Sequence, residues 1–172
     1  MRSAHEIPRR LRLLGMTMTR IIRTIVAVIT LSVPAATRAQ SPRIDPPFDT
    51  LHFAPALDVD LANSTRVARG LYSKDQLVGN GRFASRGDEI TVRYFGRLVD
   101  GRAFTTTSEP PATFKLGGGT VIQGWERGIS GMRVGGIRQL VIAPELGYGK
   151  KGQAPIPPNA VLIFDVELIS VK

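Results

Sequence analysis

Leu162, Phe164, Val166 and Leu168 are separated one by one, with Ile163, Asp165, Glu167 and Ile169 filling the alternate positions. Side chains of an extended strand point to opposite faces in turn, so a period of two demands a strand with one face committed to a core. A helix, with its longer period, would scatter the same residues around its cylinder. The pattern returns at Ile90, Val92, Tyr94, Gly96 and Leu98, interleaved with Thr91, Arg93, Phe95 and Arg97. Asp100-Gly101 then supplies hairpin-turn chemistry, and RQLVIA, from Arg138 to Ala143, reads as a further strand. An antiparallel meander is the economical arrangement of such strands.

One stretch has helical spacing instead. Trp125, Ile129 and Met132 fall at i, i+4 and i+7, on one face of a short helix that can bury this face only against the sheet. Trp125 is the single tryptophan of the chain and stands between Gly124 and Gly128. Glycine weakens a helix by roughly 1 kcal/mol per interior position, so two of them around a tryptophan require a reason. The expected class is α+β: a curled antiparallel sheet of about five strands wrapped around one short α-helix.

The patterned region begins near Gly70, so residues 70–172 are expected to form the domain. SPRIDPPFDT carries three prolines in ten residues and no periodicity, and residues 40–69 read as a Pro-rich linker and leader without a core of their own. Residues 1–39 combine basic residues, the apolar run IVAVITLSVPAA and small residues at Thr37 and Ala39. That is the pattern of a signal peptide, which predicts cleavage near Ala39 and an exported, periplasmic or secreted protein. The clean apolar run is about a dozen residues, short of the roughly 20 that span a bilayer, so no stable membrane span is expected in the mature chain.

Charge and composition exclude several functions. Seven of the 23 lysines and arginines lie in residues 1–39 against the single acid Glu6, which leaves residues 40–172 a net +3 of the formal +9. With no basic run longer than Lys150-Lys151, this is a poor phosphate-tracking surface, and no nucleic-acid partner is expected. The chain has no cysteine, and its two histidines, His5 and His52, lie outside the patterned region. Thiolate and histidine chemistry are therefore absent there, and neither a metal nor a cofactor is expected. GYGKKG, Gly147 to Gly152, matches a nucleotide fingerprint by letter, but QAPIPP follows it and cannot open the required helix. Leu116 to Gly119 lacks the lysine of a phosphate loop and reads as a turn. Asp165 and Glu167 fall opposite an apolar face, the ordinary place for solvent-side acids.

What remains is an apolar constellation: Tyr94 and Phe164 facing inward on strands, Phe104 after the hairpin, Phe114, then Val121, Ile122 and Trp125, and Tyr148 and Ile156 on a Gly- and Pro-rich loop. Such residues serve equally as plain core. Tyr148, however, lies between glycines on that loop, a place suited to aiming a hydroxyl.

The stretches VRYFGRLVDGRAF, VIQGWERGISGMRVGG, APELGYGKKG and IPPNAVLIFDVELI, in this order, resemble the FKBP-type peptidyl-prolyl cis-trans isomerases, in the form found in exported bacterial proteins. The resemblance runs from Gly70 to the C-terminus and implies a curled antiparallel sheet around a short helix. It further implies Trp125 as the floor beneath a substrate proline, with Gly124 small so that the ring stays approachable. Tyr94, Phe104 and Phe164 would be walls, Val121, Ile122 and Ile156 the rim, and Phe114 and Thr105 further substrate contacts. Tyr148 would hold its hydroxyl toward the substrate carbonyl, with Tyr94 and Phe104 completing the catalytic set. Proline-containing polypeptides, exported proteins among them, are the implied partners, and macrolide inhibitors a further ligand class. Two departures stand out: Thr105 replaces the aspartate that most members carry after the phenylalanine, and Ala112 occupies a place where some have another aromatic. They motivate an alternative reading, a proline-peptide binding or chaperone-like module with little turnover.

Overall fold

In the computed structural model, which describes residues 48–105 and 110–172, the alternating segments all become strands. They are β1 (Thr65–Ala68), β2 (Leu71–Leu77), β3 (Glu89–Leu98), β4 (Ala112–Lys115), β5 (Ile137–Ile142) and β6 (Leu162–Val171). All neighbours pair antiparallel in one six-stranded sheet of order β1-β2-β5-β6-β3-β4. The α+β class holds, with two differences from the sequence reading. The sheet is not a meander, because the last strand lies in the middle, and the sixth strand, β1, comes from the expected leader. β6 pairs along both of its edges, with Tyr94 opposite Val166 and Gly96 opposite Phe164 on one side and Leu140 opposite Phe164 on the other.

The single α-helix among the described residues, α1 (Gln123–Gly128), crosses the concave face. It is shorter than the i, i+4, i+7 spacing suggested: Ile129 is its C-cap, and Met132 lies beyond Gly131, whose φ of +79° ends any helical continuation. Ile129 and Met132 are nonetheless buried in the main core with Trp125, Leu140 and Ile142. The flanking glycines have a packing reason. A Cβ on Gly124 would lie 2.5 Å from Ile142 Cγ2, and one on Gly128 would lie 2.7 Å from Leu140 Cδ2. Both glycines therefore face β5 and bring the helix backbone close to the sheet, which corrects the expectation that Gly124 serves to expose the indole.

The convex face is also covered, over part of its area. Phe48 and Leu61 pack with Tyr72 and Val141, the rings of Phe48 and Tyr72 meeting edge to face at 5.4 Å. Leu57 is buried, and its carbonyl accepts a hydrogen bond of 2.9 Å from Gln139 Nε2. Ile163, assigned by alternation to the solvent side, is consequently fully buried. Asp165 and Glu167 do remain on this outer face. Asp165 pairs with Arg97 and accepts from Gln76 at 3.0 Å, and Glu167 pairs with Arg93 at 2.7 Å.

Candidate functional site

Where β3, β4, β6 and α1 meet, the inward side chains leave a cavity of about 740 Å³. Trp125 lines it and is 6% exposed. Around the indole stand Tyr94 at 4.7 Å, Phe164 at 5.2 Å and Phe114 at 5.8 Å between ring centroids. Phe104 extends the wall through an edge-to-face contact of 5.4 Å with Phe164. Tyr94 and Phe164 share the concave face because their positions on β3 and β6 have the same parity in the ladder. Between them Gly96 must lack a side chain, since a Cβ there would lie 2.6 Å from Phe104 Cε2 and 2.9 Å from Phe164 Cε1.

All ten residues singled out from the sequence line this one cavity: Tyr148, Tyr94, Phe104, Trp125, Val121, Ile122, Ile156, Phe164, Phe114 and Thr105. Ala112 lines it too, as do Thr113, Thr120, Gln153, Ala154 and Pro155, which sequence reasoning did not select. Their one available signal was adjacency, since each is next to or within three residues of a selected position. Asp165 and Glu167 lie on the opposite face of the sheet and take no part.

Two polar side chains tie the cavity edge to neighbouring backbone. Thr105 Oγ1 accepts the Gly96 N–H at 2.7 Å, tying the segment after Phe104 back onto β3. Glu126, next to Trp125, accepts from the Gly119 N–H at 2.8 Å and from the Gly117 N–H. Its carboxylate thus anchors the loop that delivers Val121 and Ile122.

The chemistry available is that of an apolar pocket with phenolic and indole donors. Burial pushes the Tyr148 phenol above its ordinary value of 10.0, with a smaller contribution from Tyr94, so its O–H stays a donor at neutral pH. Trp125 Nε1 is buried and has no acceptor among the described residues. None of the lining residues is a histidine, carboxylate or lysine. Among the described residues no three histidine, cysteine or carboxylate groups gather as a metal site, and no helix is long and apolar enough to cross a membrane.

Residues 80–169 match the family model described as FKBP-type peptidyl-prolyl cis-trans isomerase. FK506-binding protein 4 of Neurospora crassa is 44% identical over 111 residues, covering 64% of this chain and 24% of that protein. The chain thus spans about a quarter of the length of such curated relatives. The crystal structure of AtFKBP13 superposes with a TM-score of 0.55 at 40% identity, covering 60% of this chain and 94% of that one. That of FkpA from Escherichia coli gives 0.58 at 40% identity, covering 63% and 51%.

These comparisons correct the location expected from the N-terminal pattern. The curated relatives from Neurospora crassa, Gibberella zeae and Dictyostelium discoideum are eukaryotic FK506-binding proteins rather than exported bacterial isomerases. That finding overturns the exported, periplasmic or secreted assignment. The proposed signal segment itself, residues 1–39, lies outside the described residues.

Proposed function

The chain belongs to the FKBP-type peptidyl-prolyl cis-trans isomerase family, and from that premise we propose that its aromatic cavity catalyses rotation of Xaa-Pro bonds in proline-containing polypeptides. The observation that carries this reading is the convergence of all ten selected residues on one cavity floored by Trp125. Rotation of an Xaa-Pro bond breaks amide resonance against a barrier of roughly 18 to 20 kcal/mol, and spontaneous exchange takes tens to hundreds of seconds.

No nucleophile is needed. The planar amide is more polar than the twisted one, so an apolar enclosure favours the twisted transition state over the ground state. With the proline ring on Trp125 and the walls of Tyr94, Phe104 and Phe164 around it, the preceding carbonyl turns toward Tyr148, whose neutral O–H donates one directed hydrogen bond. Val121, Ile122 and Ile156 hold the rim, with Phe114 and Thr105 beside the flanking chain. Each roughly 1.4 kcal/mol gained in the transition state is a tenfold rate. The same cavity is the proposed site for macrolides of the FK506 class, a reading supported by the relatives' names and by its apolar lining.

A second reading, peptide binding with little turnover, is favoured by Thr105, whose hydroxyl is committed to Gly96 where most family members place an aspartate. Isomerisation assays on a set of Xaa-Pro tetrapeptides separate the two, with wild type beside Tyr148→Phe and Thr105→Asp. Acceleration well above background that weakens in Tyr148→Phe supports the isomerase. An inert wild type that gains activity in Thr105→Asp overturns it in favour of the binding module.

A further inference from the structure

β4 is an edge strand, and among the described residues it pairs only with β3. The hydrogen bonds around it show which way its main chain points. Leu116 N–H donates to Asp88 O at 2.8 Å, so these opposed residues form a bonded pair at the end of the β3–β4 ladder. On the other side of β3, Glu89 and Lys172 exchange both of their bonds, at 3.3 and 2.9 Å. Bonded and non-bonded pairs alternate along an antiparallel ladder. Ile90 and Val92 therefore bond to Phe114 and Ala112, whereas Thr113 stands opposite Thr91 in a non-bonded pair.

The N–H and C=O of Thr113 consequently point outward from the open edge. Its hydroxyl is held on the outer face, 3.0 Å from Thr91 Oγ1. Thr113 nevertheless lines the cavity, between Ala112 and Phe114, so what it presents there is main chain.

We infer that this edge is the second half of the substrate site, where the residue following the proline adds to the sheet as an antiparallel segment. Its N–H donates to the Thr113 carbonyl and its own carbonyl accepts the Thr113 N–H. The inference rests on the isomerase reading for the place of the proline and adds how the flanking chain is recognised. The occupant is the polypeptide that fills the cavity, because the edge is continuous with the cavity lining.

The stereochemistry is consistent. A residue paired with Thr113 shares its outward face, so the residue before it in an extended segment points to the face on which Ala112 and Phe114 border the cavity. Proline has no N–H and is unsuited to the paired position itself, but as the preceding residue it is directed inward. The residue before the proline cannot be the paired one, because its carbonyl has to rotate. Anchoring the following residue holds one half of the peptide while the other half turns. An open strand edge is the ordinary template for such addition, and it makes the site select extended, unstructured Pro segments through their main chain.

The test is a titration of the 15N-labelled full chain with acetyl-Ala-Leu-Pro-Phe-amide and with two depsipeptides. In one, phenyllactic acid replaces Phe, so that the bond after proline is an ester without an N–H. In the other, the ester replaces the Ala–Leu amide. The expected result is slowed solvent exchange of the Thr113 amide at saturation, roughly tenfold weaker binding of the first depsipeptide, the worth of about one hydrogen bond, and unchanged binding of the second. Equal affinities of the two depsipeptides, or a Thr113 amide that exchanges freely at saturation, overturn the inference. Turnover of the parent peptide, measured in parallel, reports separately on catalysis: a peptide bound along Thr113 without acceleration removes the isomerase reading and leaves the edge pairing. Failure of the parent peptide to bind overturns both.

Discussion

Thr105 Oγ1 accepts the N–H of Gly96 at 2.7 Å, and the Gly96 carbonyl accepts the Phe104 N–H at 3.0 Å, so side chain and main chain together join the segment carrying Phe104 to the strand carrying Tyr94. Gly96 is buried, so its N–H has little recourse to water if the acceptor goes. Thr105→Val keeps the shape and removes the acceptor, which should cost about 1 to 3 kcal/mol of stability. Thr105→Ser should retain most of it. Urea denaturation of the two variants checks this, and equal stability of Val and Ser variants would mean the bond contributes nothing.

Gly124→Ala opposes two effects. Alanine raises helix propensity by about 1 kcal/mol, but the new Cβ would lie 2.5 Å from Ile142 Cγ2, a β-branched side chain with no exposed surface. Overpacking should win, with a net loss of about 1 to 3 kcal/mol. Ile142→Ala in the same background should be less destabilising than the sum of the two single changes, a coupling that a double-mutant cycle measures directly.

No histidine, carboxylate or lysine lines the cavity, so the rate profile should be flat from about pH 5 to about pH 9. Burial raises the folded Tyr148 phenol above 10.0. Its protonated form is therefore favoured by folding, and that contribution is complete below the ordinary value and lost as pH rises through the folded one. Tyr148→Phe should lower kcat/KM by roughly tenfold or more while leaving the profile flat. A histidine- or carboxylate-like inflection between those limits would count against catalysis by this cavity.

Leu57 is 1% exposed on the side of the sheet away from the cavity. Leu57→Ala should cost about 2 to 5 kcal/mol of stability without changing kcat/KM on short peptides. A parallel loss of turnover at temperatures where the variant is fully folded would show that the leader communicates with the site.

The strands of the domain and the inward side of Tyr94 and Phe164 were legible because alternation is a local consequence of extended backbone. The ten cavity residues were legible through family-like stretches rather than through periodicity, which assigns Phe164 to a face but cannot distinguish core from cavity. Ile163 and Thr113 were not legible. Ile163 looks like a solvent-side residue until Phe48, Leu57 and Leu61 are known to occupy the outer face. Thr113 has an ordinary side chain, and its interest lies in the direction of its main chain.

The sequence by itself determined that this chain forms an antiparallel sheet that commits one face of its strands to a core around one short helix, because the parity of apolar residues along a strand is set by backbone geometry alone. Only the tertiary structure decided that β6 lies at the centre, that Gly124 and Gly128 are small for β5, and that the free main-chain groups of β4 open beside the cavity. Alternation specifies which face a residue takes but not which strand lies across from it. The neighbour, the register and the atom a missing Cβ makes room for are set by contacts between residues distant in the chain.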